Sequence, residues 1–333
     1  MKAWVPAVLV LAACTPSRPV PPAPTFTVVA RGETVPVGTA NDDAADDPAV
    51  WRNAADPRAS LIVGTDKKAG VYVYALDGKV RDFVDAGRVN NVDLAAFGGR
   101  VIVGASDRND EANARVALFS LDTATAKLTP LGTVPVGAGE AYGFCFHQED
   151  GALHGFVVMK DGTINQLAFD LSGEVPSAQT VRTMKLGTQA EGCVVDPVRQ
   201  RLYVAEEDVG VWRFDARASG SAEAISVAKV DGARLFDDAE GLAIADGYLI
   251  VSSQGDSAYA VYRLRDDRYM GRFRIGPGRF GSVQETDGIE VIGGDFGPDY
   301  PDGLMVAQDG ENPPMAQNFK LVSWADVKRA LKL

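Results

Sequence analysis

Histidine is almost missing from this chain. Its 333 residues include two, His147 and His154, and only three cysteines. Such poverty excludes the nitrogen- and sulfur-rich ligand sets that hold zinc. It also leaves phosphohistidine chemistry without its motif, because neither His follows an Arg; both read as ordinary surface or strand residues. Basic residues are short as well, with 33 Lys and Arg against 45 Asp and Glu and a net charge of -12. Nucleic acid is therefore not an expected partner, since that binding rests on basic surface. No Gly-x-x-x-x-Gly-Lys-Ser/Thr loop exists to cradle nucleotide phosphates. Cys193 and Arg199 stand at Cys-x5-Arg spacing, but the VVDPV between them has no Gly and joins two strands, so the spacing is chance. No long amphipathic helix is visible, the best helical stretch being the C-terminal WADVKRALKL.

What is present is a repeat. Six acids, Asp47, Asp93, Glu140, Glu191, Glu240 and Asp287, each stand at the head of a short apolar run, 46 to 51 residues apart. Every unit holds three β-branched or alternating runs parted by Gly, Asp or Asn turns, which is strand grammar. Unit four, for example, reads EGCVVD, RLYVAEED, GVWRFD. A weaker fourth run follows in most units, such as KVRDFV or YMGRFRI. A period of about 40 to 50 residues with several strands per unit is the signature of a β-propeller. The expected fold is all-β: six mostly four-stranded blades around a central channel, over residues 25–333. The segment TFTVVA (residues 25–30) reads as a strand ahead of the first unit. It is expected to complete an outer position of the last blade and close the ring, because closure removes exposed edges.

The first residues, MKAWVPAVLVLAAC, have the layout of an export signal: one Lys, a short apolar run, then small residues. The run is too short to span a bilayer as a helix. Leu11-Ala12-Ala13-Cys14 resembles the bacterial lipobox, which implies cleavage after residue 13 and a lipid on Cys14. Residues 14–24 are Pro-rich and read as a semi-rigid spacer. The expectation is an exported bacterial lipoprotein, periplasmic or at the cell surface, touching membrane only through the Cys14 lipid, and monomeric. In the body, Cys145 and Cys193 follow the strand openings of units three and four. They read either as buried free thiols or as a disulfide between neighbouring blades; spacing alone does not decide.

Propeller topology adds a geometric argument. The start of a blade's first strand and the end of its second share one mouth of the channel. The acids Asp46, Asp47, Asp93, Glu140, Glu191, Asp238, Glu240, Asp287 and Asp309 therefore gather at one rim, with Asn90, Asn91, Tyr142, Gln254 and Asn312. So many carboxylates would repel one another strongly without cations. Hard oxygen ligands suit Ca²⁺. Lys67, Lys68, Arg108 and Lys160, from three units, share that mouth. Fixed bases among bound cations suit a highly anionic ligand, and phosphate is the natural one.

The motifs DAADDPAVW, TDKKAG, NNVD, EAYGF, AEED, DAEGL, TDGIEV, YPDGLMVAQDGEN and QNFKLVSW resemble the successive motifs of the β-propeller phytases, in family order along nearly the whole mature chain. The resemblance implies several bound Ca²⁺ ions and hydrolysis of phosphate monoesters of phytate, myo-inositol hexakisphosphate, free or as its calcium complex. It gives Asp46, Glu191, Glu207, Asp238 and Glu240 to the active-site ions, with Tyr142 beside them and Glu33 as a further acidic ligand. Lys67, Arg108 and Lys160 become the phosphate-contacting bases, with Lys68 alongside; Asp161 stands there where the family usually has Glu. Asp47, Asp93 and the loop Asp309 to Asn312 match residues around a channel calcium. Asp287 matches an acid close to the phosphate. One departure is GPGRFGSVQE before TDGIEV, where the family is richer in Asp and Thr and one calcium ligand is missing; another is a shorter loop, PPMAQNFK, after AQDGEN.

The implied mechanism is in-line attack on phosphorus by a Ca-activated water, with no covalent enzyme intermediate. Lys67, Arg108, Tyr142, Lys160, Glu191, Glu207 and Asp287 form the expected catalytic set. Two rivals are a calcium-dependent lactonase-like propeller hydrolase and a non-catalytic propeller binding protein. The lactonase needs few bases, so cations contributed by three blades argue against it.

Overall fold

Inner strands that open with an acid and a glycine set the architecture. In the computed structural model, which describes Met1, residues 21–40 and residues 43–333, six blades surround a channel. Blade one runs Ala45–Trp51, Leu61–Asp66, Gly70–Ala75 and Val80–Asp85 from the axis outward. Blade two spans Val89–Phe97 to Lys127–Ala138, blade three Ala141–Glu149 to Ser177–Lys185, and blade four Ala190–Asp196 to Ile225–Lys229. Blade five is Ala239–Ala245 to Arg268–Gly276, and blade six holds Ile289–Ile292, Leu304–Asp309 and Asn318–Ser323. Neighbouring strands within each blade's own run are antiparallel. The expected all-β six-bladed propeller is the observed fold.

Ring closure differs from expectation. Thr25–Val29 does not join the last blade; it adds a fifth, parallel strand to the outer edge of blade five, against Arg272–Gly276. The last blade is completed instead by Gly32–Glu33, antiparallel to Asn318–Ser323, with Glu33 opposite Lys320. A short turn thus lets one N-terminal segment cover two edges, and unpaired edge groups are what such closure removes. The C-terminal helix Trp324–Leu331 buries Trp324, Val327 and Leu331, spaced to share one face, against that fifth strand and its neighbours. The expected lipid site at Cys14, residues 2–13 of the expected signal and most of the expected 14–24 spacer lie outside the described residues.

Apolar cores fill the wedges between blades. Phe144, Phe146 and Phe169 pack edge to face with Leu118 and Ile102 between blades two and three. Phe319 of blade six presses on Gly64 of blade one, where an added Cβ would lie 2.6 Å from its ring. His147 and His154 face each other on paired strands of blade three and are buried there, not on the surface.

Candidate active site

Five inner strands begin with a register shift. The irregularities fall at Ala45/Pro48, Val89/Val92, Ala141/Gly143, Ala190/Cys193 and Ala239/Leu242. A bulge frees its extra residues from the ladder and re-aims their side chains. The freed residues are Asp46 and Asp47, Asn90 and Asn91, Tyr142, Glu191 and Glu240. Glycines beside them let the strands meet near the axis. A Cβ on Gly143 would stand 1.9 Å from Glu191 O, on Gly192 2.3 Å from Glu240 O, on Gly241 2.6 Å from Asp287 O, and on Gly288 2.6 Å from Asp46 O. The openings of blades three to six therefore each rest on the next blade's acid, around to the first.

The acids form a continuous field. Carboxylate oxygens of Glu191, Glu207 and Glu240, from blades four and five, lie within 4.8 Å of one another, the group among the described residues with metal-binding spacing. Asp46 is buried, and among the described residues neither of its oxygens accepts a directed hydrogen bond, Lys67 Nζ standing beside Oδ1 as an ion pair. Burial is the first cause that pushes the Glu191 and Glu240 carboxyls well above the usual range, and carboxylate neighbours add to it. Asp46 and Glu207 are raised by burial too, and Asp238 by burial and then by Asp208 beside it. Asp287 is pushed up to about 7, again chiefly by burial. Buried carboxylates gathered this closely, in a group lacking His, fit a hard divalent cation such as Ca²⁺.

Fixed bases face this field. Lys67 Nζ lies 2.9 Å from Asp43 Oδ2, 3.2 Å from Asp46 Oδ1 and 3.1 Å from Asp287 Oδ2. Burial opposes its charge, but Asp46, Asp287 and Asp43 outweigh that and hold the ammonium above the usual lysine range. Arg108 donates through Nε to Glu140 Oε1 at 2.7 Å, with Nη2 on the same oxygen, and through Nη1 to Asn90 Oδ1 at 2.7 Å. Asn90 in turn donates to Glu191 Oε1 at 2.7 Å, so base and acid share one linker. Lys160 Nζ is 3.7 Å from Glu140 Oε2. The Tyr142 ring lies 4.9 Å from the Arg108 guanidinium and 5.0 Å from Lys160 Nζ, within cation–π reach of both.

The structure brings Asp46, Lys67, Arg108, Tyr142, Lys160, Glu191, Glu207, Asp238, Glu240 and Asp287 to one mouth. Lys68 follows Lys67 on the exposed turn, its backbone N–H donating to Asp66 Oδ1. Asp161 is exposed and paired with Lys185 at 2.8 Å. Asp47 and Asp93 sit deeper, in a narrow channel cavity with Glu290. Burial raises Asp47 well above the carboxylate range, Asp93 to about 6 and Glu290 to about 8. Cys145 and Cys193 line that cavity as a disulfide between blades three and four. Glu33, Asp309 and Asn312 come together around the ammonium of Lys320, and Glu33 and Asn312 also line an open cavity at that edge.

Some residues of the site had no role in the sequence reading. Glu140 was visible as a repeat acid but not as the counter-ion of Arg108 and Lys160. Gln189 clamps both Glu207 oxygens at 2.7 and 2.8 Å, and Gln254 Nε2 holds Asp287 Oδ1. Glu290 carried one signal, a charge in the otherwise apolar run IEVI.

A family model described as Phytase matches residues 3–332 of the chain. The 3-phytase of Bacillus subtilis (strain 168) is 37% identical over 328 residues, which cover 92% of this chain and 86% of that protein. Among solved structures, a chain in the crystal structure of a mitotic checkpoint complex aligns over 94% of this chain and 87% of its own, with TM-score 0.51 and 14% identity. That last likeness is one of fold alone.

Proposed function

The chain belongs to the phytase family, and from that premise we propose that it is a calcium-dependent phosphomonoesterase that hydrolyses phytate to lower inositol phosphates and phosphate. The observation that carries this reading is the facing of two sets at one mouth: buried carboxylates from several blades, and Lys67, Arg108 and Lys160 from three.

Asp46, Glu191, Glu207, Asp238 and Glu240 would hold calcium here, with Asp47 and Asp93 for a channel ion. Bound there, calcium would neutralise phosphoryl charge and acidify a water. The chain's own groups do the rest. Arg108 offers a planar fork to two phosphoryl oxygens, while Lys67 and Lys160 add point charges. To bind, a phosphate must displace Glu140 from Arg108 and Lys160, which favours ligands of high charge. Tyr142 keeps those two cations together against its ring. Lys68 and Asp161 on the adjoining turns would border a second phosphate of the same inositol. Water attacks phosphorus in line; its oxygen forms the new P–O bond as the bond to the inositol oxygen breaks. Asp287, oriented by Lys67 and Gln254, is the carboxylate positioned to take the proton of that water. The departing inositol oxygen takes a proton from solvent. Positioning and charge stabilisation supply most of the effect.

Export as a monomeric lipoprotein anchored through Cys14 belongs to the same proposal, supported by the signal layout of residues 1–13. The test of function is phosphate release from phytate by the full chain with calcium, and again after chelation. Release that stops with chelator and returns with calcium supports the reading; release indifferent to calcium, or none from phytate, overturns it.

A further inference from the structure

One amide at the mouth touches both of the sets that face each other there. Asn90 is among the residues freed by the register shift at Val89/Val92, and its side chain is buried. Its Oδ1 accepts from Arg108 Nη1 at 2.7 Å, and its Nδ2 donates to Glu191 Oε1 at 2.7 Å. Arg108 follows the second strand of the same blade, whereas Glu191 opens blade four, 101 residues from Asn90 in sequence. The bridge therefore reaches past blade three. It joins a base of the mouth to an acid of the group with metal-binding spacing.

The two edges of the Arg108 guanidinium have different partners. Nη1 meets Asn90, whereas Nε and Nη2 both meet Glu140 Oε1. A phosphate that takes the place of Glu140 binds the Nε and Nη2 edge and leaves the bond to Asn90 standing. The guanidinium is planar and rigid, so holding Nη1 fixes the direction of that edge. At the other end, a donor on Oε1 fixes the rotation of the Glu191 carboxyl, and with it where the second oxygen points. An amide supplies an acceptor and donors on one planar group. Aspartate at this position would keep an acceptor for Arg108 but set its own charge against Glu191. Leucine would supply neither bond.

We propose that Asn90 is a positioning residue that sets the phosphate-clamping edge of Arg108 and the metal-facing oxygen of Glu191 in one fixed relation, so that calcium binding and Arg108 are coupled through its side chain. This inference rests on the reading of the mouth as a calcium and phosphate site.

The test is the calcium dissociation constant of the full-length chain, titrated by calorimetry without substrate; the binding event lost in Glu191→Gln marks the mouth site. Asn90→Leu should weaken that site by about 10- to 100-fold, as expected for a residue that orients a metal ligand. A folded variant with wild-type affinity would overturn the proposal. The decisive comparison is a double-mutant cycle with Arg108→Met. Losing Arg108 removes a positive charge from the site in either background, but it releases Asn90 only where Asn90 is present. Arg108→Met should therefore be less favourable to calcium in the wild-type background than in Asn90→Leu, by about fivefold or more in the dissociation constant. An equal effect in both backgrounds would mean that Asn90 only fills space, and would overturn the proposal. If Asn90→Leu does not fold, Asn90→Ala enters the same cycle with the same two outcomes. A wild type in which no calcium binding depends on Glu191 would overturn the functional reading and this inference with it. Additivity in a wild type that does bind calcium there overturns this inference alone.

Discussion

Arg108 waits for its ligand already paired. Glu140 occupies the guanidinium that a phosphate would take, and shares Lys160 as well. An internal carboxylate of this kind lowers affinity for weakly charged anions more than for a hexakisphosphate. Glu140→Gln should therefore tighten inhibition by free phosphate, read as a lower inhibition constant; an unchanged constant would mean that the pair is only scaffolding. Removing the bases acts in the other direction. Lys67→Ala or Arg108→Ala should lower kcat/KM for phytate by about 100-fold or more with the circular dichroism of the fold retained. Wild-type turnover in both would remove them from the mechanism. At this scale the sequence was most readable where charge repeats with the blade period: Asp46, Lys67, Glu191 and Glu240 were all named from register. It was least readable where a residue works through a partner distant in sequence. Nothing local shows that Lys320, 287 residues from Glu33, meets it.

The element that makes the site is the bulged, glycine-bearing start of each inner strand. Acid followed by glycine is visible in EGCVVD and AEGLAI, and the reason for the glycine is steric. Gly192→Ala would force a methyl to 2.3 Å from Glu240 O. Overpacking of that kind costs about 1–3 kcal/mol, and here it would also push Glu191 and Glu240 apart. The expected outcome is a lower unfolding midpoint together with weakened calcium binding; a variant of unchanged stability and calcium affinity would contradict the close-packed account. The disulfide joins two of these same strands, three residues beyond Tyr142 and two beyond Glu191. Sequence left the state of these cysteines open because thiol separation depends on how two blades are set against each other. The N-terminal strand was read correctly as a strand and assigned to the wrong blade for a related reason. Its alternation reports exposure on one face, not which edge it covers.

Over the whole molecule, the propeller stores negative charge at its centre. Asp93 near 6, Asp287 near 7 and Glu290 near 8 each hold a proton more tightly folded than unfolded, because burial disfavours their charged forms. Their contribution to stability is full below the unfolded carboxylate value of about 4. It is lost as pH rises through the folded values. In chelator, the melting temperature should accordingly fall between about pH 4 and about pH 8, and calcium should flatten that decline by taking the protons' place. A melting temperature independent of pH in chelator would contradict the burial-raised values of these three carboxyls. The ring itself was the most legible level, because six similar units with one acid each leave few other architectures.

The most direct measurement is a crystal structure of the protein grown with calcium and soaked with phosphate, the metal placed by its anomalous signal. The account predicts calcium among Glu191, Glu207 and Glu240, and phosphate between that metal and Lys67, Arg108 and Lys160. Calcium elsewhere on the disc, or phosphate on the opposite face from these bases, would contradict it.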